Sequence, residues 1–233
     1  MDRSRWRTDR AARYSAGALL TNMRVHSYVV DHDIGFAPNP FHGFCTLATC
    51  KPMIRKGAEV GDWVIGTGAA KNRRQGYLVY AMRVSEIITF DEYWADDRFA
   101  RKRPNLSGSR MLRFGDNIYH RAASGEWLQE NSRHSGADGS PEALHVATDT
   151  GTTERVLISE DYVYYGAVGP QVPLDLRTYE LDLVSLRGHR NRFSERQVGL
   201  ITAWLDSLPR GVEGTPFDWH RERNLRENRE RTA

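Results

Sequence analysis

Short apolar runs separated by turn-forming residues are the feature that most limits how this chain can fold. Residues 24–31, 62–66, 76–88 and 155–166 are rich in β-branched and aromatic residues, and Gly, Pro, Asn or Asp lies close to their ends. Such runs predict short strands, with 155–166 forming two strands that meet around Ser159–Asp161. Because strands outnumber helices, we expect an α+β fold: a small barrel or strongly bent sheet with peripheral helices.

Two segments carry helix signals. Residues 89–104 have acidic residues in the first turn and basic residues in the last, and Pro104 ends the pattern. Residues 194–208 begin with Ser194, a favourable N-cap, and continue with an apolar stripe at helical spacing. The chain therefore has predicted helices as an insert between strands and near its C-terminus.

Length and composition indicate one main domain with appendages. The chain has 233 residues, of which 39% are hydrophobic and 27% charged, so a packed core is expected. We predict an N-terminal extension (1–23), a main domain (24–173) and a C-terminal helical appendage with a charged tail (174–233). No apolar run approaches the ~18 residues that span a bilayer, so we expect a cytoplasmic protein without a membrane partner.

The basic residues are almost all arginine, with only four lysines among 33 lysines and arginines, and the net charge is +3. Arginine binds phosphate and stacks on bases, although biased codon use gives the same composition. We predict phosphate contacts from Lys71, Arg73 and Arg74 in a hairpin tip; the alternative is a plain turn. The preceding Gly66 and Gly68 lack the third glycine of a dinucleotide site, so no cofactor is expected.

The segment SYVVDHDIGFAPNPFHGFCTLATCKP, at 27–52, concentrates unusual residues. Its Gly and Pro residues fix sharp turns, so Asp31, Asp33, Asn39 and Lys51 are candidates to converge on one pocket. The alternative is a rigid structural loop. Its two cysteines lack the second ligand pair typical of zinc sites, so we expect buried cysteines and no metal.

A long Gly-, Ser- and Asn-rich segment, residues 105–153, is the second candidate region, because long loops in compact domains are often functional. We predict that Asp116, Tyr119 and His120 supply acid–base chemistry together with Lys51. Further candidates for the same role lie downstream at His134, His145 and Asp149. The alternative is that these polar groups only satisfy backbone hydrogen bonds.

Aromatic and amide side chains are candidates for holding a base, by stacking and by hydrogen bonds to its edge. Tyr162 and Tyr164 share a strand face, and Tyr80 is favoured over the more exposed Tyr77. Packing in the core is the alternative for each aromatic residue. The predicted ligand-binding residues are Asp31, Asp33, Phe36, Asn39, Phe41, Thr46, Trp63, Tyr80, Asn117, Tyr162 and Tyr164.

Several ordered motifs together resemble a known family. They are the 27–52 segment and, after it, GDWVIGTG, GYLVYAMRVSE, FDEYWADDRF, GDNIYH and VLISEDYVYYG. In this order, from about residue 24 to 173, they resemble the nucleotide modification associated domain of the second type. The resemblance implies a role beside DNA base hypermodification systems of phages and bacteria, with nucleic acid or a free nucleotide as the partner.

A second likeness concerns the fold. The pattern IRKGAEVGDWVIGTG followed by GYLVYAMRV is similar to PUA-like barrels, some of which bind flipped modified bases while others use a catalytic lysine. Three functions stay open: a modified-base pocket lined by aromatic and amide groups, an enzyme that adds or hydrolyses a group on a nucleobase, and a plain interaction module. Either of the first two roles suits Lys51.

Overall fold

The computed structural model describes residues 23–178, 182–184 and 188–219. No helix in this part of the chain is both long and apolar enough to cross a bilayer. The predicted N-terminal extension, except Met23, and the end of the charged tail lie outside the described residues. The described strands are β1 (Val25–Val30), β2 (Cys45–Leu47), β3 (Trp63–Gly68), β4 (Leu78–Arg83), β5 (Glu86–Thr89), β6 (Tyr119–Arg121), β7 (Trp127–Gln129), β8 (Arg155–Ser159), β9 (Asp161–Tyr164), β10 (His189–Arg190) and β11 (Gly211–Val212).

Most strands belong to one mixed sheet of six, in the order β10-β1-β3-β4-β9-β11. The long β1 pairs in parallel with β3, and β3, β4 and β9 continue the sheet as antiparallel neighbours. Strands β10 and β11 come from the C-terminal part of the chain and form the two edges. Residues assigned to the C-terminal appendage thus complete this sheet.

A three-stranded antiparallel sheet, in the order β2-β8-β5, and the β6–β7 hairpin make up the remaining strand structure. The helices are α1 (Pro52–Gly57), α2 (Phe90–Ala95), α3 (Arg110–Arg113), α4 (Ala143–Thr150) and α5 (Glu195–Asp206). Capping boxes begin α2 at Thr89 and α5 at Ser194, because each cap hydroxyl and the side chain three residues later satisfy each other's backbone N–H groups.

Apolar packing arranges these elements in layers. Helix α5 packs Val198, Ile201 and Leu205 on one face of the six-stranded sheet. The other face packs on the three-stranded sheet through residues such as Tyr80 and Leu157. The far face of the three-stranded sheet is covered by aromatic residues of α2 and of the long insert. The segment between β1 and β2 lies at the edge of these layers and reaches both.

The α+β class is confirmed, and so are the two strands that meet at Ser159–Asp161 and the helix that Ser194 caps. The predicted strand at 76–88 divides into β4 and β5, and the predicted helix at 89–104 divides into α2 and a 3₁₀ turn at Asp97–Lys102. In the described residues the strands form separate open sheets and no closed barrel.

Candidate functional site

A cavity of about 530 Å³ lies at the end of β1, next to the irregular segment that follows it. Its wall also includes the N-terminal approach to α1, the turn after β7 and one face of α4. The lining residues used below are Tyr28, Phe36, Cys50, Lys51, Arg133, His134 and Asp149. The cavity has the size range of small-molecule sites in proteins.

The backbone at Cys50 and Lys51 is unusual, because both residues have left-handed conformations with φ of 58° and 43°. A non-glycine residue in this region costs about 1–3 kcal/mol, so the surroundings must hold it there. Arg55, fully buried, donates from Nε to the Cys50 carbonyl oxygen at 2.9 Å. The Cys50 N–H donates to Asp149 Oδ1 at 2.7 Å. This geometry places the Cys50 thiol in the cavity wall.

Cys50, His134 and Asp149 form a hydrogen-bonded cluster, called here the Cys50 cluster. The Cys50 Sγ lies 3.6 Å from His134 Nε2, and the opposite ring nitrogen, Nδ1, lies 2.8 Å from Asp149 Oδ2. Asp149 is 1% exposed, whereas Cys50 is only partly buried. The order thiol–imidazole–carboxylate is that of a nucleophile, a base and the group that orients the base.

Neighbouring side chains fix the cluster. Tyr119 donates from its hydroxyl to Asp149 Oδ2 at 3.0 Å, and Gln129 donates to the Tyr119 hydroxyl at 3.2 Å. The His134 ring stacks on His145, with ring centres 4.0 Å apart, and meets the Phe36 ring edge-on. The stacked His145 ring and the hydrogen bond at Nδ1 orient the His134 ring, and its Nε2 faces the sulfur.

The charge of His134 is stabilised by its neighbours. Burial opposes the imidazolium, but the hydrogen bonds to Asp149 and Cys50 outweigh it and raise the pKa of His134 to about 9. An imidazolium beside a thiol favours the thiolate, which is the reactive form of cysteine. The structure therefore places, 3.6 Å from the Cys50 sulfur, an imidazole that carries a proton at neutral pH.

The same three residues are also of types that bind zinc, and their ligand atoms lie within 4.8 Å of one another. A metal needs one atom from each residue directed at a common point. Here His134 lies between its partners and uses Nε2 toward the sulfur and Nδ1 toward the carboxylate. The geometry fits a nucleophile–base pair better than a metal centre.

Some predicted residues do lie at this site. Lys51, Asp31 and Phe36 line the cavity, and Lys51 Nζ lies 4.6 Å from the centre of the Tyr28 ring. Tyr119 contacts the cluster through Asp149 rather than through the cavity. The segment at 27–52 thus supplies both the loop and the thiol of the site.

Three other predicted residues, Asn39, Thr46 and Asp116, lie in a second buried cluster, called here the Lys102 cluster. Its other members are Lys102 and Tyr93, which the sequence did not predict. Lys102 Nζ donates to Asn39 Oδ1 at 2.9 Å, and Asp116 accepts from Thr46 and Tyr93 at 2.7 and 2.8 Å. All five residues are 0% exposed. Asn117 is also buried beside it and donates to the Tyr93 carbonyl oxygen.

His120 and the remaining aromatic candidates lie away from the cavity lining. His120 stacks on Trp94 and pairs with Glu130 at 3.0 Å. Trp63 packs against α5. The hydroxyls of Tyr80 and Tyr28, both on the six-stranded sheet, form a 2.9 Å hydrogen bond with each other.

Asp33 and the tyrosines of β9 tie loops together. Tyr164 donates to Asp33 at 2.6 Å, Tyr162 donates to the Pro40 carbonyl oxygen, and Phe41 stacks on Trp219. Burial raises the pKa of Asp33 to about 6, against the hydrogen bonds it accepts. These contacts connect the 27–52 segment to β9 and to the C-terminal residues.

The predicted phosphate-binding turn is partly engaged within the chain. Lys71 Nζ lies 3.6 Å from an Asp31 carboxylate oxygen, and Arg74 lies over the Tyr77 ring at 4.7 Å. Arg73 is exposed in a left-handed conformation. Phosphate binding by this turn stays a prediction.

The sequence named His134 and Asp149 among its acid–base candidates, and both lie in this cluster, but it did not assign Cys50 as a nucleophile. The signal available was a cysteine with histidine and aspartate elsewhere in the chain, which is compatible with a catalytic thiol but does not identify the partners. Sequence separations of 84 residues to His134 and 15 more to Asp149 carry no periodic pattern. Only the folded chain brings the three together.

Fold and site together define an α+β protein with a cysteine–histidine–aspartate cluster in the wall of a cavity. A family model described as nucleotide modification associated domain 2 matches residues 22–223. The chain belongs to this family, which links it to nucleotide modification systems, and the match extends past residue 173, where the motif resemblance ended. No curated protein and no solved structure shows significant similarity to it.

Proposed function

We propose that this protein is a thiol-dependent enzyme that removes or transfers an acyl group on a modified nucleotide. The observation that carries the proposal is the Cys50–His134–Asp149 geometry in a cavity wall, with Sγ to Nε2 at 3.6 Å and Nδ1 to Oδ2 at 2.8 Å. Family membership supports the nucleotide part of the substrate. Cysteine–histidine pairs oriented by a third polar group recur in acyl transfer.

In the proposed reaction, the Cys50 thiolate attacks the carbonyl carbon of an amide or ester on the nucleotide. The C–N or C–O bond then breaks, and His134 gives its proton to the departing amine or alcohol. The acyl group is left as a thioester on Cys50. Water attacks the thioester, His134 takes the water proton, and the thiolate leaves as the carboxylic acid is released.

The cavity supplies groups for the rest of the substrate. Tyr28 and Phe36 offer aromatic surface for a base, and Lys51 and Arg133 offer positive charge for a phosphate or a developing oxyanion. Among the described residues, neither cation forms an ion pair with an acidic side chain. Both cations are therefore available to bind a negatively charged group of the substrate.

A modified-base binding protein without turnover is the second candidate, favoured by the aromatic wall at Tyr28 and Phe36. The amide groups predicted for such a pocket, Asn39 and Asn117, form hydrogen bonds with buried groups instead. Asn39 accepts from Lys102, and Asn117 donates to the Tyr93 carbonyl oxygen. The PUA-like barrel stays a hypothesis, supported by the β3–β4 hairpin at the predicted position. Cytoplasmic location also stays a prediction.

Competitive alkylation of the two cysteines tests the proposal, with iodoacetamide as the probe and peptide mass spectrometry as the measurement. We expect Cys50 to react fast near neutral pH and His134→Ala to slow it by roughly tenfold or more. Cys45 is an internal control, because it is 0% exposed and burial raises the pKa of its thiol. His120→Ala is a matched control, because it removes a stacked imidazole that lies outside the cavity lining.

Turnover is then measured with a panel of N-acylated and O-acylated nucleosides and nucleotides. We expect acyl release by the wild type, a mass increase on Cys50 during turnover, and neither with Cys50→Ala. Slow alkylation of Cys50 that His134→Ala leaves unchanged would contradict the proposal. Stoichiometric binding of Zn²⁺ that Cys50→Ala abolishes would assign the cluster to a metal instead.

A further inference from the structure

A second surface depression, of about 920 Å³, is strongly basic and lies beside α1 and β10. Its lining residues are Met53, Lys56, Gly57, His189, Arg190, Asn191 and Arg192. The set contains three permanent cations and no acidic residue. Such a single-sign groove attracts polyanions.

Two of its cations are available to a ligand. The side chains of Lys56 and Arg192 are exposed and form no ion pair with any acidic side chain among the described residues. The third, Arg190, is partly engaged, donating to the Asp182 carbonyl oxygen and lying over the Phe193 ring. Asn191 adds an exposed amide between the two arginines.

This groove is next to the cavity that holds Cys50. His189 pairs with Tyr28 across the β10–β1 ladder, and Tyr28 lines the cavity. Lys51 lies over the same Tyr28 ring and directly precedes α1, whose Met53, Lys56 and Gly57 line the groove. Burial lowers the pKa of His189, and the charges of His26 and Lys51 lower it further, which agrees with this proximity.

We propose that the groove binds the phosphodiester backbone of a polynucleotide strand whose neighbouring nucleotide enters the Cys50 cavity. This inference rests on the proposed function and names its substrate class: a nucleotide within a strand rather than a free one. Lys56 and Arg192 contact backbone phosphates. Lys51 lies between groove and cavity, at the point where the strand turns its target nucleotide inward.

The shape of the site agrees with a strand. One free nucleotide needs positive charge beside its base, which Lys51 and Arg133 already supply in the cavity. The cations of the groove lie outside the cavity, where they can contact the phosphates of a ligand that extends beyond it. Proteins that bind single strands combine a cationic groove for the backbone with aromatic surface for a base. Tyr28 and Phe36 provide that surface here.

Fluorescence anisotropy with a labelled mixed-sequence oligodeoxynucleotide and the matching oligoribonucleotide tests the inference. The variant is Lys56→Glu with Arg192→Glu, and the control is Arg101→Glu with Arg196→Glu, which changes net charge equally at exposed positions outside both depressions. We expect the groove variant to bind strands about tenfold or more weakly at low salt. Its slope of log K against log salt should flatten by roughly 1.4, since each single-strand phosphate contributes about 0.7.

The control variant should retain strand affinity close to that of the wild type. Equal loss in both variants would overturn the inference, because it would show only a response to net charge. Equal binding by wild type and groove variant would overturn it as well.

The site itself is monitored by the rate of Cys50 alkylation, which shows whether the variant remains folded around the thiol. Acyl release from a strand and from the matching nucleoside monophosphate then separates the two proposals. The strand proposal would be overturned if the monophosphate is turned over at least as fast as the strand and if the strand does not inhibit that reaction. The enzyme proposal would then still stand. Strand binding that depends on the groove, without any turnover, would support the proposed strand binding and contradict the proposed enzyme activity.

Discussion

The Cys50 cluster and the Lys102 cluster are built from the same kinds of parts, yet they differ in access. In the Cys50 cluster, Asp149 accepts hydrogen bonds from the Tyr119 hydroxyl and the Cys50 N–H. In the Lys102 cluster, Asp116 accepts hydrogen bonds from the Tyr93 and Thr46 hydroxyls. The Cys50 cluster opens on a cavity, whereas every member of the Lys102 cluster is 0% exposed. Chemistry needs a path for substrate, so the open cluster is the candidate site and the closed one stabilises the fold.

The difference in charge environment follows from the same contrast. In the Lys102 cluster burial dominates: it lowers the pKa of Lys102 to about 8 and raises the pKa of Asp116. In the Cys50 cluster burial also opposes the charged form, but the hydrogen bonds to Asp149 and Cys50 together outweigh it and raise the pKa of His134. Burial in the Lys102 cluster therefore disfavours the charged forms of Lys102 and Asp116, whereas His134 in the Cys50 cluster keeps a proton that it can transfer.

The largest expected effect is on catalysis. Asp149→Asn removes the carboxylate that orients His134 and should lower acyl release by roughly 10³- to 10⁴-fold, as in other triads. Single-turnover kinetics on a strand substrate measure it, and Asp116→Asn is the matched control. Comparable losses in both variants would remove the distinction between the two clusters.

The next effect is on stability. Asp116→Ala leaves the Lys102 ammonium buried without its counter-charge, so we expect the free energy of unfolding to fall by about 3–5 kcal/mol. Urea denaturation measures this loss. The double variant Lys102→Met, Asp116→Leu should recover much of it, because both charges are gone. A loss below about 1 kcal/mol in Asp116→Ala would show that water already reaches the pair.

The pH dependence of stability should have opposite signs for the two clusters. His134 has a folded pKa of about 9, above its ordinary 6.5, so it contributes stability below 6.5 that is lost as pH rises through 9. Lys102 has a folded pKa of about 8, below its ordinary 10.5, so stability rises with pH between 8 and 10.5. Each contribution amounts to at most roughly 3 kcal/mol.

Denaturation at several pH values measures these slopes. His134→Gln should abolish the fall between 6.5 and 9, and Lys102→Met should abolish the rise between 8 and 10.5. If His134→Gln leaves the lower window unchanged, the imidazole does not gain its proton in the folded state. A protonated His134 beside the Cys50 sulfur would then be ruled out.

The smallest effect comes from a matched pair of tyrosines. Tyr119→Phe removes the hydroxyl that donates to Asp149, and Tyr93→Phe removes the one that donates to Asp116. Each hydrogen bond to a charged group contributes about 1.5–3 kcal/mol. We expect Tyr119→Phe to lower acyl release about tenfold and Tyr93→Phe to lower stability without changing turnover. The reverse pattern would exchange the roles of the two clusters.

The sequence predicted the region of the site better than its members. The Gly- and Pro-rich segment at 27–52 was expected to bring Asp31, Asp33, Asn39 and Lys51 to one pocket. Asp31 and Lys51 line the cavity, whereas Asp33 binds Tyr164 and Asn39 lies in the Lys102 cluster. Within the GDNIYH motif, Asp116 and Tyr119 lie on different clusters although they are three residues apart. Local spacing does not show which side of a strand or turn faces a cavity. The sequence therefore could not show that Asp116 and Tyr119 belong to different clusters.

The sequence alone determined the class of fold, the short strands, the helix cap at Ser194 and the family, because each depends on local propensity, periodicity or motif order. Only the tertiary structure decided that β10 and β11 complete the main sheet and that Cys50 meets His134 and Asp149. These contacts join segments far apart in the chain, and packing between layers sets their geometry. The same packing closed the Lys102 cluster and left the Cys50 cluster open, a difference that no local pattern of residues encodes.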